Sequence, residues 1–210
     1  MHNTALVSGK AFSEAYGCDG KIVIDLGGRN VNGSLREYFV NKGMKFICVD
    51  MEADPSVDIV VKPGEKLPFD DESIDLIVST SCFEHDPCFW LTFKEMTRII
   101  KKDGYIYINA PTRGIYHGYP GDNWRFFSDA GQALAYWSGI QVNGEKVFPV
   151  KVVETFNISG GSDMWRDFVC VWMRTDEKTE HIVVQPNILN YVGKLEKIIN
   201  SNGLNTCKRC

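Results

Sequence analysis

The chain is predicted to fold as an α/β protein, a doubly wound, mostly parallel seven-stranded sheet with helices on both faces. Three observations predict it. Short apolar runs alternate with segments of helical periodicity along residues 21–110. Glycines punctuate the run ends, at Gly27-Gly28, Gly43 and Gly104. The 210 residues, 44% hydrophobic and 24% charged, suit one globular domain rather than two or a disordered chain.

The elements follow in order. Lys21–Leu26 reads as a buried strand ending at Gly27-Gly28. Leu35–Asn41 reads as a helix, with Gly33-Ser34 near its start and Gly43 after its end. Lys45–Asp50 is the second strand, Val57–Val61 a shorter third and Ile74–Thr80 the fourth. Phe89–Lys102 is helical, because Leu91, Phe93, Met96 and Ile99 or Ile100 recur at three-to-four spacing. Tyr105–Ala110 is the fifth strand, and Pro111–Phe127, rich in Gly, Pro, Tyr and His, reads as an irregular loop. Ser128–Trp137 is a helix with Ser128 as its N-cap. Val147–Glu154 and Asp167–Arg174 complete the seven strands, and Ile188–Asn200 is a terminal helix. The chain is expected to be one domain over 1–210, with its core at about 20–175 and a C-terminal helix and tail at about 186–210. Parallel strands joined by helices must be covered on both faces. Ligands of such sheets bind outside the carboxyl ends of the strands, which directs attention to Gly27 onward, Asp50, Thr80–His85 and Pro111 onward.

Charge and cysteine usage exclude several function classes. A net charge of −4 disfavours non-specific nucleic-acid binding, which needs clustered positive charge. No apolar run approaches the roughly 20 residues that cross a bilayer. Met1-His2-Asn3-Thr4 does not open a secretory signal, so a cytoplasmic setting is expected. The seven cysteines are odd in number and irregularly spaced, as in a reducing compartment. Cys207 and Cys210 form a lone CxxC with no second ligand pair, so no metal site is predicted and the tail reads as polar and frayed.

Chemistry concentrates at Asp25-Leu26-Gly27-Gly28-Arg29-Asn30, which leaves a strand and opens a helix. Asp50 ends the next strand, 25 residues after Asp25, where a carboxylate can accept both hydroxyls of a ribose. The dinucleotide fingerprint G-x-G-x-x-G is not met, because Arg29 and Asn32 stand at its second and third glycine positions. Asp25 would also repel phosphates. A phosphate-free adenosine ligand with a cationic amino group, S-adenosylmethionine, suits these residues better.

The same residues carry a resemblance. Ile24–Ser34 resembles motif I of the class I S-adenosylmethionine-dependent methyltransferases, in the subgroup called methyltransferase type 11. Leu67-Pro68-Phe69-Asp70-Asp71-Glu72-Ser73-Ile74-Asp75 is similar to that family's approach to its fourth strand. Phe83-Glu84-His85 resembles its Leu-Glu-His, and Glu95–Gly104 its segment ending in Lys-Pro-Gly-Gly. The resemblance covers residues 21–110 in order and implies a Rossmann-like fold. Tyr119–Phe126 also looks like a Tyr-Pro-x-Asp-x-Trp-Arg-Phe segment of members acting on sugars and other polar metabolites. The chain departs from the pattern at Arg29, where a glycine is usual, and at Pro63-Gly64, where many members carry Asp-Ala.

The resemblance implies roles. Asp25 and Gly27 would flank the methionine part of the cofactor, with backbone approach near Gly27 and Gly28; Asp50 would take the ribose, Gly64 and Glu65 would lie near the adenine, and Arg29, Met51 and Ser81 are further cofactor contacts. His85 and His117 are the candidate catalytic bases, since imidazole titrates near neutrality. Tyr116, Trp124 and Arg125 are candidates for the acceptor pocket, Arg125 for an acidic group. The packing reading of Trp124, Arg125, Phe126 and Phe127, an aromatic cluster holding the loop to the sheet, stands beside it. The function expected is methyl transfer to a small polar acceptor, at an oxygen of a sugar, sugar nucleotide or related metabolite. A protein or RNA methyltransferase and a non-catalytic S-adenosylmethionine-binding protein are the alternatives.

Overall fold

A computed structural model describes residues 3–118, 120–159, 164–177 and 205–207. The expected helix at 188–200, Cys210, His2 and His181 lie outside the described residues. The elements run α1 (Asn3–Tyr16), β1 (Ile22–Leu26), α2 (Arg36–Val40), β2 (Lys45–Asp50), β3 (Ile59–Val60), β4 (Ile74–Thr80), α3 (Phe89–Ile99) and β5 (Ile100–Arg113). They continue with α4 (Ala130–Trp137), β6 (Ile140–Val142), β7 (Glu145–Ser159), β8 (Arg166–Glu177) and β9 (Asn205–Cys207).

The strands order as β3-β2-β1-β4-β5-β8-β7-β6, with β9 pairing β7. The half from β3 to β5 is parallel. The half beyond β5 is antiparallel. The path therefore holds eight strands rather than seven. The addition is β6, which pairs β7 through a two-residue turn, Val142 facing Glu145. Asn143 and Gly144 both take positive φ, 51° and 83°. That is the mirror-image turn whose twist suits a hairpin, and Asn-Gly is its strongest sequence signal.

Alternation along the strands divides the core into two layers. Ile24, Leu26, Ile77, Ile106, Ile108, Phe168, Cys170 and Trp172 face α3 and α4. Val23, Leu76, Val78, Tyr107, Val169 and Val171 face α1 and α2. Each central strand is thus buried on both sides, as parallel pairing requires.

The helix α1 is a finding that the sequence did not announce. Its buried face is Thr4, Ala5, Ser8, Gly9, Ala11, Phe12, Ser13 and Tyr16, mostly small or polar residues. Hydrogen bonds hold it. The Tyr107 hydroxyl donates to Ser8 Oγ at 2.8 Å, Ser8 Oγ donates to the Thr4 carbonyl at 2.7 Å, and Tyr16 donates to Glu154 at 2.8 Å.

Two boundaries differ from expectation. The helix α3 stops at Ile99, three residues before Lys102, because Ile100 is extended and pairs with Ile74. The chain then turns through Asp103 at φ 61° into Gly104, where a Cβ would lie 2.8 Å from the Asp75 carbonyl. In α4 the N-cap is Asp129, without a side-chain hydrogen bond, and not Ser128. Ser128 is turned to β7, its carbonyl accepting from Thr155 and its hydroxyl from Asn157. Among the described residues no helix is long and apolar enough to cross a membrane.

Phe12 is fully buried, its ring centroid 4.9 Å from Tyr107 and 5.0 Å from Tyr16. Truncation of such a ring typically costs about 3–5 kcal/mol. Phe12→Ala is expected to lose that much in urea denaturation; a loss below about 1 kcal/mol would show that α1 is not docked as described.

Candidate functional site

The carboxyl ends of β1, β2 and β4 surround a cavity of about 600 Å³. Its floor is the turn after β1. Gly27 and Gly28 both donate their N–H to the Val49 carbonyl, at 2.8 and 3.3 Å, which bends the chain across the strand ends. Gly27 has φ 74°, and a Cβ there would meet Cys82 Sγ at 2.4 Å. At Gly28 a Cβ would lie 2.6 Å from Asp25 Cγ. Both positions therefore exclude any side chain, for steric reasons on opposite sides of the turn.

Asp25 is wholly buried beneath that turn, and neither carboxyl oxygen has a hydrogen-bond partner. Burial, and then the neighbouring Asp50, push its pKa up to about 7. Asp50 lines the cavity itself. Its carboxylate accepts from the backbone N–H of Arg29 and of Glu52, both at 3.1 Å, which fixes its orientation. The Arg29 guanidinium pairs with Glu52, and both line the cavity. Met51, Val61, Lys62, Pro63, Gly64, Glu65 and Leu67 continue the wall on the β2–β3 side. Lys62 Nζ donates to the Met51 carbonyl at 2.6 Å and Glu65 accepts from the Lys62 N–H at 2.9 Å, so this wall is tied to itself.

The opposite wall comes from the loops after β4 and β5. Ser81 has φ 50°, and its N–H donates to the Asn109 carbonyl at 3.0 Å. A helical turn follows, with the N–H groups of His85 and Asp86 both donating to the Cys82 carbonyl. Asp86 fixes the start of α3, accepting from the Cys88 N–H at 2.8 Å and from Thr92 Oγ1 at 2.5 Å.

The segment 121–126 is laced onto this turn. The N–H of Asn123 donates to the Glu84 carbonyl at 2.7 Å, and Asn123 Nδ2 to the His85 carbonyl at 3.0 Å. Trp124 Nε1 donates to the Asp86 carbonyl at 2.9 Å, and its ring packs against Phe89 and Trp90. Arg125 forks onto Asp122, and these hydrogen bonds hold the Asp122 carboxyl down at about 2. Asp122 also accepts from the His117 N–H at 3.0 Å.

This lacing brings His85 and His117 together, their ring centroids 5.1 Å apart, with Glu84 Oε1 lying 3.6 Å from His85 Nε2 and 3.9 Å from His117 Nε2. Glu84 is buried, and burial, then the acids Asp167 and Asp122, push its carboxyl up to about 8.

Of the residues singled out from sequence, Gly27, Gly28, Arg29, Asp50, Met51, Gly64, Glu65, Ser81, His85 and His117 line the cavity. Asp25 lies behind it. Trp124 and Arg125 are outside the lining, engaged as loop fasteners, and Tyr116 is 78% exposed. Glu52, Lys62 and Trp165 also line the cavity and were not anticipated, whereas Cys82 falls within the stretch 80–85 that the sequence pointed to. Glu52 and Lys62 sit within two residues of recognised positions, but nothing in the sequence marks Trp165, which reaches the site from the start of β8.

Residues 24–108 match the family described as a methyltransferase domain. An uncharacterized methyltransferase of Mycobacterium sp. (strain KMS) is 32% identical over 94 residues, which cover 40% of this chain and 36% of the relative. The chain thus spans little more than a third of the curated relatives it matches.

Among solved structures, a Burkholderia thailandensis 1,6-didemethyltoxoflavin-N1-methyltransferase with bound 1,6-didemethyltoxoflavin and S-adenosylhomocysteine is similar. Its TM-score is 0.63 at 15% identity, over 83% of this chain and 80% of that one. A Haemonchus contortus phosphoethanolamine N-methyltransferase 2 in complex with S-adenosyl-L-methionine gives 0.55 at 13% identity, over 80% and 52%. At those identities the structures speak for the fold, and the sequence match over 24–108 speaks for the family. Over residues 24–108 the chain is thus similar to the methyltransferase domain family, on a fold that it shares with S-adenosylmethionine-dependent methyltransferases.

Proposed function

We propose that the chain transfers a methyl group from S-adenosylmethionine to a small polar acceptor, at an oxygen of a sugar, sugar nucleotide or related metabolite. The observation that carries the donor is the buried Asp25, whose two oxygens have no hydrogen-bond partner, under a turn that admits only glycine. An unpartnered carboxyl behind the wall repels a pyrophosphate and favours a cation in front of it. The cavity volume suits one nucleoside-sized ligand.

The residues fit this donor. Asp50, already oriented by two backbone N–H groups, keeps lone pairs for the ribose hydroxyls. Met51, Val61, Pro63 and Gly64 offer the apolar stretch that a purine needs, with Glu65 at its edge. Gly27, Gly28 and Ser81 bring backbone to the amino-acid end. Bound there, the donor supplies a methyl group on a sulfonium, whose bond to sulfur breaks with its electron pair as the acceptor's lone pair bonds to carbon.

The acceptor belongs on the other side. In the order β3-β2-β1-β4-β5 the loop after β5 lies farthest from Asp50, and it brings His117 to the cavity beside His85. These two imidazoles are placed to deal with the acceptor's hydroxyl proton, and Trp165 and Pro120 complete the wall around them. Positioning supplies much of the rate, up to about 7–11 kcal/mol in well-oriented systems. Asn123, Trp124 and Arg125 serve it indirectly, by fixing the two histidines relative to the donor.

Calorimetric titration tests the donor. S-adenosylmethionine is expected to bind, nicotinamide adenine dinucleotide is not, and the reverse result would end this reading. Asp50→Ala should weaken donor binding about 10- to 100-fold, the loss expected for hydrogen bonds to a charged group.

Once a screen of sugar nucleotides, phospho-sugars and small hydroxy acids has found an acceptor, His85→Ala and His117→Ala should each lower turnover by about 10²-fold or more. Donor affinity should move only a few-fold; full turnover in both variants would remove the histidines from the chemistry.

The pH dependence of Asp25 has a definite sign. Its carboxyl pKa is raised, from 3.8 to about 7, so the unliganded fold loses stability as pH rises across that interval and levels off above it. Melting of the unliganded chain between about pH 5 and 8 should show this slope, and Asp25→Asn should flatten it. Donor binding should tighten over the same range in the parent chain only.

A further inference from the structure

We propose that Glu84, His85 and His117 form a binding site for a divalent transition-metal ion of zinc's class, open to the cavity on the acceptor side. The argument starts from the imidazole protons. His85 Nδ1 contacts the Gly121 carbonyl. A carbonyl only accepts, so that nitrogen carries the proton and Nε2 of the neutral ring is left with a lone pair. His117 Nδ1 faces the Ile115 carbonyl at 3.1 Å and the Asp122 carboxylate at 3.2 Å, two more acceptors. Its proton is committed in the same way.

Both bare Nε2 atoms then point at one carboxylate oxygen. His85 Nε2 lies 3.6 Å and His117 Nε2 3.9 Å from Glu84 Oε1. The three ligand atoms lie within 4.8 Å of one another. Three atoms able to offer lone pairs converge with no N–H between them, and their repulsion is relieved only by a proton held on Glu84 or by a cation at the centre. Glu84 is 1% exposed, and its other oxygen, Oε2, is buried without a hydrogen-bond partner. The protein thus holds a carboxyl group out of water, with Oε1 facing two imidazoles.

The spacing and surroundings suit an ion. Nitrogen and oxygen ligands sit about 2.0–2.2 Å from zinc, so neighbouring ligands are roughly 3–3.5 Å apart. Small side-chain rotations bring the three atoms to that distance. Metal-bound histidines usually donate their other nitrogen to a carbonyl or carboxylate, as both do here through Gly121, Ile115 and Asp122. Two imidazoles and a carboxylate favour a borderline metal over magnesium or calcium, which prefer oxygen throughout. Three protein ligands leave a position free, and His85 and His117 both line the cavity.

The ion's role rests on the methyl-transfer reading, although its presence does not. An acceptor hydroxyl in the free position would be acidified as zinc-bound water is, releasing its proton to bulk water while its oxygen takes the methyl group. The histidines would then manage the acceptor's proton through the ion rather than by taking it themselves.

The test uses the full chain carrying Cys207→Ser and Cys210→Ser, so that the terminal thiols do not compete. Equilibrium dialysis against Co²⁺ should show one saturable equivalent. Its visible spectrum should show weak d–d bands without sulfur-to-cobalt charge transfer, and Zn²⁺ but not Mg²⁺ should displace it. His117→Ala, His85→Ala and the isosteric Glu84→Gln should each weaken uptake at least about 100-fold, the top of the range for losing an outer-shell partner. Circular dichroism of each variant checks that the fold is kept. No saturable uptake, uptake with a thiolate signature, or uptake indifferent to all three substitutions would overturn the site and leave a shared proton at its centre. Donor titration of the same chain, without metal, tests methyl transfer separately: cobalt uptake without donor binding refutes that function and not the site.

Discussion

A strand packed on both faces has no room along its length for a solvated polar group. That constraint shapes the rest of this structure. The central strands β1, β4 and β5 are clad by α1 and α2 on one side and by α3 and α4 on the other. Their functional groups can therefore appear only where the strands end and the cladding stops. The cavity, the two histidines, Asp50 and the glycine turn all lie at that edge. Asp25 is the ionisable carboxyl set against this constraint, one residue inside the end of β1, and its raised pKa expresses what that burial costs.

The second organising feature is the lacing of residues 121–126 onto the turn after β4. Loops far apart in sequence rarely place side chains accurately, because backbone entropy favours many arrangements. Here the carbonyls of Glu84, His85 and Asp86 each receive a donor from Asn123 or Trp124. Asp122 meanwhile grips Arg125 and the His117 backbone. Trp124 and Arg125, which the sequence offers as acceptor contacts, gain their importance as fasteners. A guanidinium bound bidentately by its own neighbour's carboxylate has few donors left for a ligand.

Much of the parallel half was legible in the sequence, because local signals and tertiary burial agree there. Lys45–Asp50 and Ile74–Thr80 are apolar runs long enough to be strands and nothing else, and the glycine pair after Leu26 fixes the first turn. The role of Asp50 at the cavity followed from its place one strand over. The helix α1 was hidden because its docking uses Ser8, Gly9, Ala11 and hydroxyl hydrogen bonds, which carry little hydrophobic periodicity. The hairpin at Asn143-Gly144 had a clear turn signal, overlooked because the strand before it is only three residues long and wholly exposed. The meeting of Glu84 with His117 could not be read at all, since it depends on hydrogen bonds between loops more than thirty residues apart in sequence.

The breadth of the sheet carries a hazard that its margins answer only at the strand ends. The outermost strands of the eight-strand path, β3 and β6, are two and three residues long. These short strands cover only the ends of their neighbours: β3 pairs Val49 and Asp50, β6 pairs Glu145–Val147, and β9 pairs Asn157–Ser159. Among the described residues, the stretch 148–156 of β7 has no strand on its outer side, so it is this long strand's middle, and not its capped ends, that would template fibril-like growth.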